Sequence, residues 1–301
     1  MSPIGLGQRH VVLLVNASSR KGEAWFEQAK AKLTEKGIVV ASTESFAHAP
    51  ELLVRVEEEA KRGSTVIIGG GDGTMSAVAN ILARRDSTLA VLPLGTGNAF
   101  ARDLGIPTNL EDAVEVVVNG RIAQVDLGVC DAKYFLNVVT IGLTVTVAKS
   151  LTVALKRRFG RFIYAVALFK ALRNQRPFEA KIETENGLTE IEAIQLVLGN
   201  GHYHAGPLPL APSASITSGA LRLYAVEAGS RVGLLKYALL LPTGLQGVLK
   251  TVHSESTKGG VISCRPKQAV VVDGEVSDKT PLTFSIAPRA LNVMVPQAFT
   301  G

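Results

Sequence analysis

Two clusters of residues have the types and spacing for chemistry on phosphate. The first is Gly69-Gly70-Gly71-Asp72-Gly73-Thr74, in which four glycines flank one aspartate after the β-branched run Thr65-Val66-Ile67-Ile68. Glycines allow a sharp turn and a close ligand approach, and N–H groups at a helix N-terminus suit a phosphate. Asp72 in that turn has the chemistry to accept a proton, hold a nucleotide hydroxyl or approach Mg²⁺. A second turn, Pro93-Leu94-Gly95-Thr96-Gly97-Asn98, follows the short strand Leu89-Ala90-Val91-Leu92. The other cluster is Asp273-Gly274-Glu275, after the apolar run Ala269-Val270-Val271-Val272. Two acids at i, i+2 in a strand share a face and could orient or deprotonate an attacking hydroxyl. Each signal alone is ambiguous. A lone glycine-rich loop is as often a plain tight turn, and an anonymous Asp-Gly-Glu is more often a solvated strand end. Neither loop fits Gly-x-x-x-x-Gly-Lys-Ser/Thr or Gly-x-Gly-x-x-Gly, which disfavours a P-loop and a dinucleotide fingerprint. His202 and His204 lack a third ligand nearby, so a zinc site is disfavoured.

The elements that must position these residues alternate in the first half. His10–Val15 reads as a strand. Trp25, Ala29 and Leu33 mark a helix stopped by Gly37, and Ile38–Ala41 reads as a second strand. A helix from Pro50 to Arg62 leads into the Val66–Ile68 strand. The glycine turn then opens a helix carrying Met75, Val78, Ala79 and Leu82 on its apolar face. A further helix follows Thr108 or Asn109 as cap. Such alternation means βαβ units and a mostly parallel sheet, with both glycine turns at one sheet edge, where ligands bind in such folds. From about Gly120 the chain turns β-rich. Phe178–Glu185 and Leu188–Leu198 read as a hairpin around Asn186-Gly187 in a type I′ turn, and helical insertions fall near 144–175 and 230–252.

Length and charge set the outer bounds. At 301 residues two domains are expected. A hydrophobic content of 47% and a mean hydropathy of +0.24 prompt a search for membrane spans, but no run reaches the ~20 apolar residues required. The N-terminus lacks a signal-peptide pattern. Cys130 and Cys264, without metal spacing, read as buried free thiols of a reducing cytoplasm. The net charge is +6, yet the stretch Leu155–Arg176 holds Lys156, Arg157, Arg158, Arg161, Lys170, Arg173 and Arg176 with no acid. The rest of the chain is therefore slightly acidic, and the basicity belongs to one face. Phe159, Phe162, Ile163, Val166 and Phe169 run along that stretch at helical spacing. An ordinary surface helix and a membrane-surface helix both fit this pattern. Nucleic-acid binding is disfavoured by the phosphate loops.

The combination of Gly70-Gly71-Asp72-Gly73-Thr74 with Pro93-Leu94-Gly95-Thr96-Gly97-Asn98-Ala99-Phe100-Ala101-Arg102 resembles the diacylglycerol kinase catalytic-domain family, which includes bacterial lipid kinases and sphingosine kinases. More distantly it is similar to NAD kinases and phosphofructokinases. Asn137 with Gly142, Gly199-Asn200-Gly201 with Tyr203, and Asp273-Gly274-Glu275 extend the resemblance over nearly the whole chain. The resemblance implies an α/β nucleotide-binding domain with a mostly parallel sheet, residues 1–124, rejoined by a final strand at about 290–301. It also implies a β-rich, antiparallel, sandwich-like acceptor domain, 125–289. It implies an ATP-dependent, Mg²⁺-using kinase of a lipid hydroxyl, cytoplasmic and peripheral at the inner membrane face, with a homodimer left open. A kinase of a soluble acceptor such as NAD, or a nucleotide-binding regulator without turnover, are the alternatives. By resemblance, Asn16, Thr43, Gly70, Gly71, Asp72, Gly73, Thr74, Gly95, Thr96, Gly97 and Asn98 hold the nucleotide. Asp273 is the general base, Glu275 its neighbour, and Asp72 the competing base or part of the Mg²⁺–nucleotide site. The first loop departs from the family: Asn16 matches, but Ala17 stands where a proline is usual. Thr217-Ser218-Gly219-Ala220-Leu221 lacks the acid of a structural Mg²⁺ site, so that site is expected to be absent and Mg²⁺ to be held mainly by ATP phosphates. Thr144 and Thr146 replace an acid that contacts some lipid headgroups, so the acceptor stays open.

Overall fold

The computed structural model describes residues 10–19, 22–143, 176–205, 208–209, 215–228 and 252–301. In the first half, strands and helices alternate: β1 (Val11–Asn16), α1 (Gly22–Glu35), β2 (Ser42–Phe46), α2 (Ala49–Arg62), β3 (Thr65–Gly70), α3 (Asp72–Leu82), β4 (Thr88–Pro93), α4 (Ala99–Asp103) and α5 (Leu110–Asn119). The strands pair in parallel in the order β2-β1-β3-β4. Strands β1, β3 and β4 are buried along their whole length. Each fully buried Val, Leu or Ile contributes roughly 1.5–3 kcal/mol, so these central strands fix the level at which the glycine turns emerge. Pro50 starts α2 and Gly63, at φ +69, ends it in a left-handed cap. Asn109 caps α5 by accepting from the Asp112 N–H at 2.9 Å.

The second half is antiparallel: β5 (Arg121–Cys130), β6 (Lys133–Phe135), β7 (Val138–Gly142), β8 (Phe178–Thr184), β9 (Gly187–Gly199), β10 (Tyr203–Ala205), β11 (Leu208–Pro209), β12 (Leu221–Glu227), β13 (Val252–Thr257), β14 (Gly259–Arg265), β15 (Ala269–Val272), β16 (Glu275–Lys279) and β17 (Leu282–Val295). Strand β17 joins the halves. It pairs in parallel with β4 at Asn292 and Val293, and antiparallel with β5 and β14. Its pairing with β5 shifts register between Ala287 and Leu291, where Arg289 takes φ +49. Buried Asp126 secures this bend by accepting from the N–H groups of Arg289, at 2.8 Å, and Gly219, at 2.7 Å. On one side of the bend Leu291, Val293 and Val295 serve the first core; on the other Leu282 and Phe284 serve the second.

Two local expectations are corrected. The second strand is Ser42–Phe46, not Ile38–Ala41. The ladder with β1 opens only at Val12 opposite Ser42, and an edge strand tolerates the polar Ser42-Thr43-Glu44-Ser45 run that composition passes over. The β8–β9 hairpin turns at Glu185-Asn186, since Thr184 pairs with Gly187. Neither turn residue has positive φ; Gly187, at φ +127, does, so the turn is not the expected Asn-Gly type I′. Cys130 and Cys264 are free and buried, and burial pushes their thiols up to about 12 and about 11. The basic stretch from Leu155 lies outside the described residues except for Arg176, as do Thr144, Thr146 and most of both helical insertions.

Candidate active site

Strands β3 and β4 end side by side, with Gly70 opposite Pro93, and the Leu94 N–H donates to the Gly70 carbonyl at 2.9 Å. The two glycine turns therefore lie against each other. A Cβ on Gly71 would stand 3.3 Å from the Gly95 Cα, and one on Gly95 would stand 2.8 Å from the Gly71 Cα. Gly70 is pressed by the Thr74 side chain, at 2.6 Å from the corresponding Cβ. Backbone-to-backbone packing thus accounts for Gly71 and Gly95, and the Thr74 side chain for Gly70. Gly73 differs, because a Cβ there meets nothing within 4 Å. Asn98, at φ +50, braces the second turn: its Oδ1 accepts from the Gly95 N–H at 2.9 Å, and its Nδ2 donates to the Gly95 carbonyl at 3.1 Å. Thr96 is exposed at the tip, and the Gly97 carbonyl accepts from Arg102 Nε at 3.2 Å. Asn16, at the end of β1, donates through Nδ2 to Thr74 Oγ1 at 3.0 Å and so ties the first loop to the first turn. Thr43 is not brought to these turns. It lies opposite Leu13, about 10 Å along the strands from Asn16 at about 3.3 Å per residue.

Asp72 opens α3 and points across to α4, where its Oδ1 accepts from the Phe100 N–H at 3.4 Å. Burial raises its carboxyl above the ordinary range; the N–H groups of Phe100, Ala99 and Asn98 work against this, and the charge of Asp273 adds to it. Asp273 belongs to the second half, yet its charge is felt here.

Asp273 and Gly274 do not continue a strand, contrary to the sequence expectation. They form the two-residue turn between β15 and β16, with Val272 paired to Glu275. Both have positive φ, +46 and +90, the signature of a type I′ turn, which Asp-Gly favours. The turn directs the Asp273 carboxylate inward. Oδ1 accepts from the N–H groups of Asn137, at 2.9 Å, and Val138, at 3.0 Å. Oδ2 accepts from the Leu136 N–H, at 2.8 Å, and from Ser76 Oγ, at 2.7 Å. Glu275 stays exposed on β16.

Both clusters open on one cavity of about 300 Å³, lined in part by Gly73, Ser76, Asn80, Lys133, Asp273 and Glu275. Helix α3 forms one wall with a polar stripe at i, i+4 and i+8. Asp72 reaches α4, Ser76 reaches Asp273, and Asn80 clamps the Tyr134 backbone, donating to its carbonyl at 2.8 Å and accepting from its N–H at 2.9 Å. Ser76, Asn80 and Lys133 were not singled out from sequence. The stripe itself is present in the sequence as polar residues at i, i+4 and i+8 beside the face of Met75, Val78, Ala79 and Leu82. Asp103 was also missed, and no sequence signal pointed to it. Its Oδ1 accepts from the N–H groups of His202, at 2.9 Å, and Tyr203, at 3.1 Å, while buried Oδ2 has no hydrogen-bond partner. Burial pushes its carboxyl up to about 7. A Cβ at Gly201 would lie 2.1 Å from Oδ2, so this contact requires glycine.

An α/β half with paired glycine turns is thus closed by an antiparallel half that presents an acidic turn to the same cavity. Comparison with known proteins makes this specific. Residues 10–130 match the diacylglycerol kinase catalytic domain, and residues 137–295 match the YegS C-terminal NAD kinase beta sandwich-like domain. The chain is 30% identical over 279 residues to a diacylglycerol kinase of Staphylococcus aureus (strain bovine RF122 / ET3-1), covering 90% of this chain and 89% of that protein. It is 29% identical over 263 residues to a diacylglycerol kinase of Staphylococcus saprophyticus, covering 85% and 86% respectively. The crystal structure of a diacylglycerol kinase from Bacillus anthracis str. Sterne shares the fold, with a TM-score of 0.78 at 22% identity over 97% of this chain and 98% of that one. The chain belongs to the diacylglycerol kinase family, whose members are kinases with an alcohol acceptor.

Proposed function

We propose that this protein is an ATP-dependent lipid kinase that transfers the γ-phosphoryl group to the hydroxyl of diacylglycerol or a related lipid at a membrane surface. The observation that carries this reading is that Gly73 and Asp273 face one cavity from opposite halves of the chain. A nucleotide on the glycine turns would bring its phosphates to the wall where Gly73 leaves the backbone bare. An acceptor entering between the halves would bring its hydroxyl toward Asp273 as general base. The residues present suit Mg²⁺ carried on ATP phosphates: Asp72 offers a hard oxygen, and burial, with a smaller contribution from the Asp273 charge, already favours a positive partner on it. Bound there, the ion would neutralise developing phosphate charge.

On this reading contact with lipid is at the surface; no helix among the described residues is long and apolar enough to cross a membrane. The cations between Leu155 and Arg176 supply the attraction for anionic headgroups, each worth about 1 kcal/mol near such a surface. The test uses radiolabelled ATP with Mg²⁺, presented with diacylglycerol in mixed micelles and, separately, with a total lipid extract. Label in an organic-soluble phospholipid product supports the reading. Label only in a water-soluble product, or with NAD as acceptor, overturns it.

A further inference from the structure

An ionised carboxylate has about four lone-pair sites, and all four of Asp273 are taken. Three of its donors are the backbone N–H groups of Leu136, Asn137 and Val138. These cannot turn away, because the Val138 carbonyl in turn accepts from the Asp273 N–H at 2.9 Å and β7 pairs with β15 on one side and β9 on the other. The fourth donor is the Ser76 hydroxyl on Oδ2. It alone rotates about a single bond, and it alone comes from the half of the molecule that carries the glycine turns. Ser76 also lines the cavity, one helical turn beyond Asp72. A hydroxyl arriving in the cavity therefore finds no vacant position on Asp273, and the nearest oxygen hydrogen-bonded to that carboxylate is Ser76 Oγ.

We propose that Ser76 is a catalytic relay between the acceptor hydroxyl and Asp273, an assignment that rests on the kinase reading above. The acceptor O–H bond breaks and its proton passes to Ser76 Oγ, while the proton already on Ser76 passes to Asp273 Oδ2. The electron pair left on the acceptor oxygen forms the new bond to the γ-phosphorus of ATP. The bond from that phosphorus to the β,γ-bridging oxygen breaks, and its pair leaves with ADP. Ser76 ends as a hydroxyl again. Asp273 ends neutral and returns its proton to water after product leaves. Helix α3 contributes geometry as well: Asn80, one turn beyond Ser76, holds Tyr134 by two hydrogen bonds, so Ser76 is held at a fixed place on the seam.

The experiment compares Ser76→Ala, Ser76→Thr and Asp273→Asn with the unaltered protein, using ATP and diacylglycerol micelles. Removing the relay should lower kcat by about 10²–10⁴-fold, the usual worth of positioned proton transfer, with the dissociation constant for ATP essentially unchanged and the protein still folded at the assay temperature. Ser76→Thr keeps the hydroxyl and should restore most of kcat. Turnover of Ser76→Ala equal to or above that of the unaltered protein overturns the relay, since Asp273 is then reached directly once its fourth donor is gone. Loss in Ser76→Ala without recovery in Ser76→Thr also overturns it and makes Ser76 a packing residue. Normal turnover in Asp273→Asn would instead refute Asp273 as base, and absence of lipid product with the unaltered protein would refute the function itself.

Discussion

Gly73→Ala separates ligand approach from packing more cleanly than any other change in the glycine turns. At Gly70, Gly71 and Gly95 an added Cβ would meet Thr74, the Gly95 backbone or the Gly71 backbone at 2.6, 3.3 and 2.8 Å. Such crowding costs about 1–3 kcal/mol, so loss of binding there would be confounded by loss of fold. At Gly73 the new methyl meets no protein atom within 4 Å, and the backbone is not in the positive-φ region that excludes other residues. Gly73 is also the second residue of α3. Alanine at a compatible position stabilises by about 0.4–1 kcal/mol through the unfolded chain, so Gly73→Ala should melt at or slightly above the temperature of the unaltered protein. The methyl would project toward the cavity, into the space where a phosphate would reach the backbone. Losing one hydrogen bond to a charged oxygen costs about 1.5–3 kcal/mol, which weakens ATP binding by about ten- to a hundredfold. The assay is titration calorimetry with Mg-ATP beside a thermal melt of the same sample. ATP affinity within about twofold of the unaltered protein, at unchanged melting, would show that no phosphate approaches at Gly73 and that the turn is only a turn.

Other expectations follow from named groups. Asp103 titrates near 7 in the fold against 3.8 when exposed. Folding therefore takes up a proton between those values, and the stability this contributes, full below about pH 4, is lost as the pH rises through 7. Asp103→Asn should flatten that dependence and gain up to about 4 kcal/mol over the unaltered protein near pH 8; parallel urea midpoints for the two proteins across this range would refute it. Glu59 is fully buried on α2 and meets Ser64, Arg55, Arg62 and His10. Burial would raise its carboxyl, but the Ser64 hydroxyl and the Arg55 guanidinium outweigh that and hold it below the ordinary range. Its contribution is present above the ordinary carboxylate range and is lost as pH falls through the lowered value. Glu59→Gln should cost about 3–5 kcal/mol at neutral pH, and a loss under about 1 kcal/mol in chemical denaturation would contradict this. Replacing Arg157, Arg158 and Arg161 by Gln should reduce sedimentation with phosphatidylserine vesicles at low salt, as added salt should for the unaltered protein. Equal sedimentation would remove the membrane-surface reading of that stretch.

The parts of the fold legible in sequence are those whose cause is local. Strands β1, β3 and β4 are short apolar runs ended by Asn16, glycines or Pro93, and α2 is bracketed by Pro50 and Gly63. The misplacements have physical causes too. Ile38, Val39 and Val40 have strand-like side chains, but Val39 stays 87% exposed, and the ladder begins only where the chain comes alongside Val12. Asn186-Gly187 and Asp273-Gly274 are both favoured type I′ pairs, and only the second is used as one. In the second case β15 also pairs with β7 and the Asp273 N–H bonds the Val138 carbonyl, so a neighbouring strand fixes where the turn falls. In the first, the ladder from Phe178–Ala193 to Thr184–Gly187 fixes a register in which Gly187 already belongs to the strand.

The same division runs through the site. The acids and glycines stood out because a glycine cluster around an aspartate is rare enough to notice, whereas Ser76 and Asn80 are residues that a surface helix shows to water without comment. What makes them part of a site is the second half of the chain, folded so that Asp273 and Tyr134 arrive opposite them. A helix that starts in a phosphate-type turn and carries polar groups at i+4 and i+8 has three consecutive points of contact along one face. In this molecule the first meets α4, the second the Asp-Gly turn and the third β6. Helix α3 therefore ties the glycine turn at its own N-terminus to the acid bound at its second turn and the strand clamped at its third, so the two clusters keep one geometry.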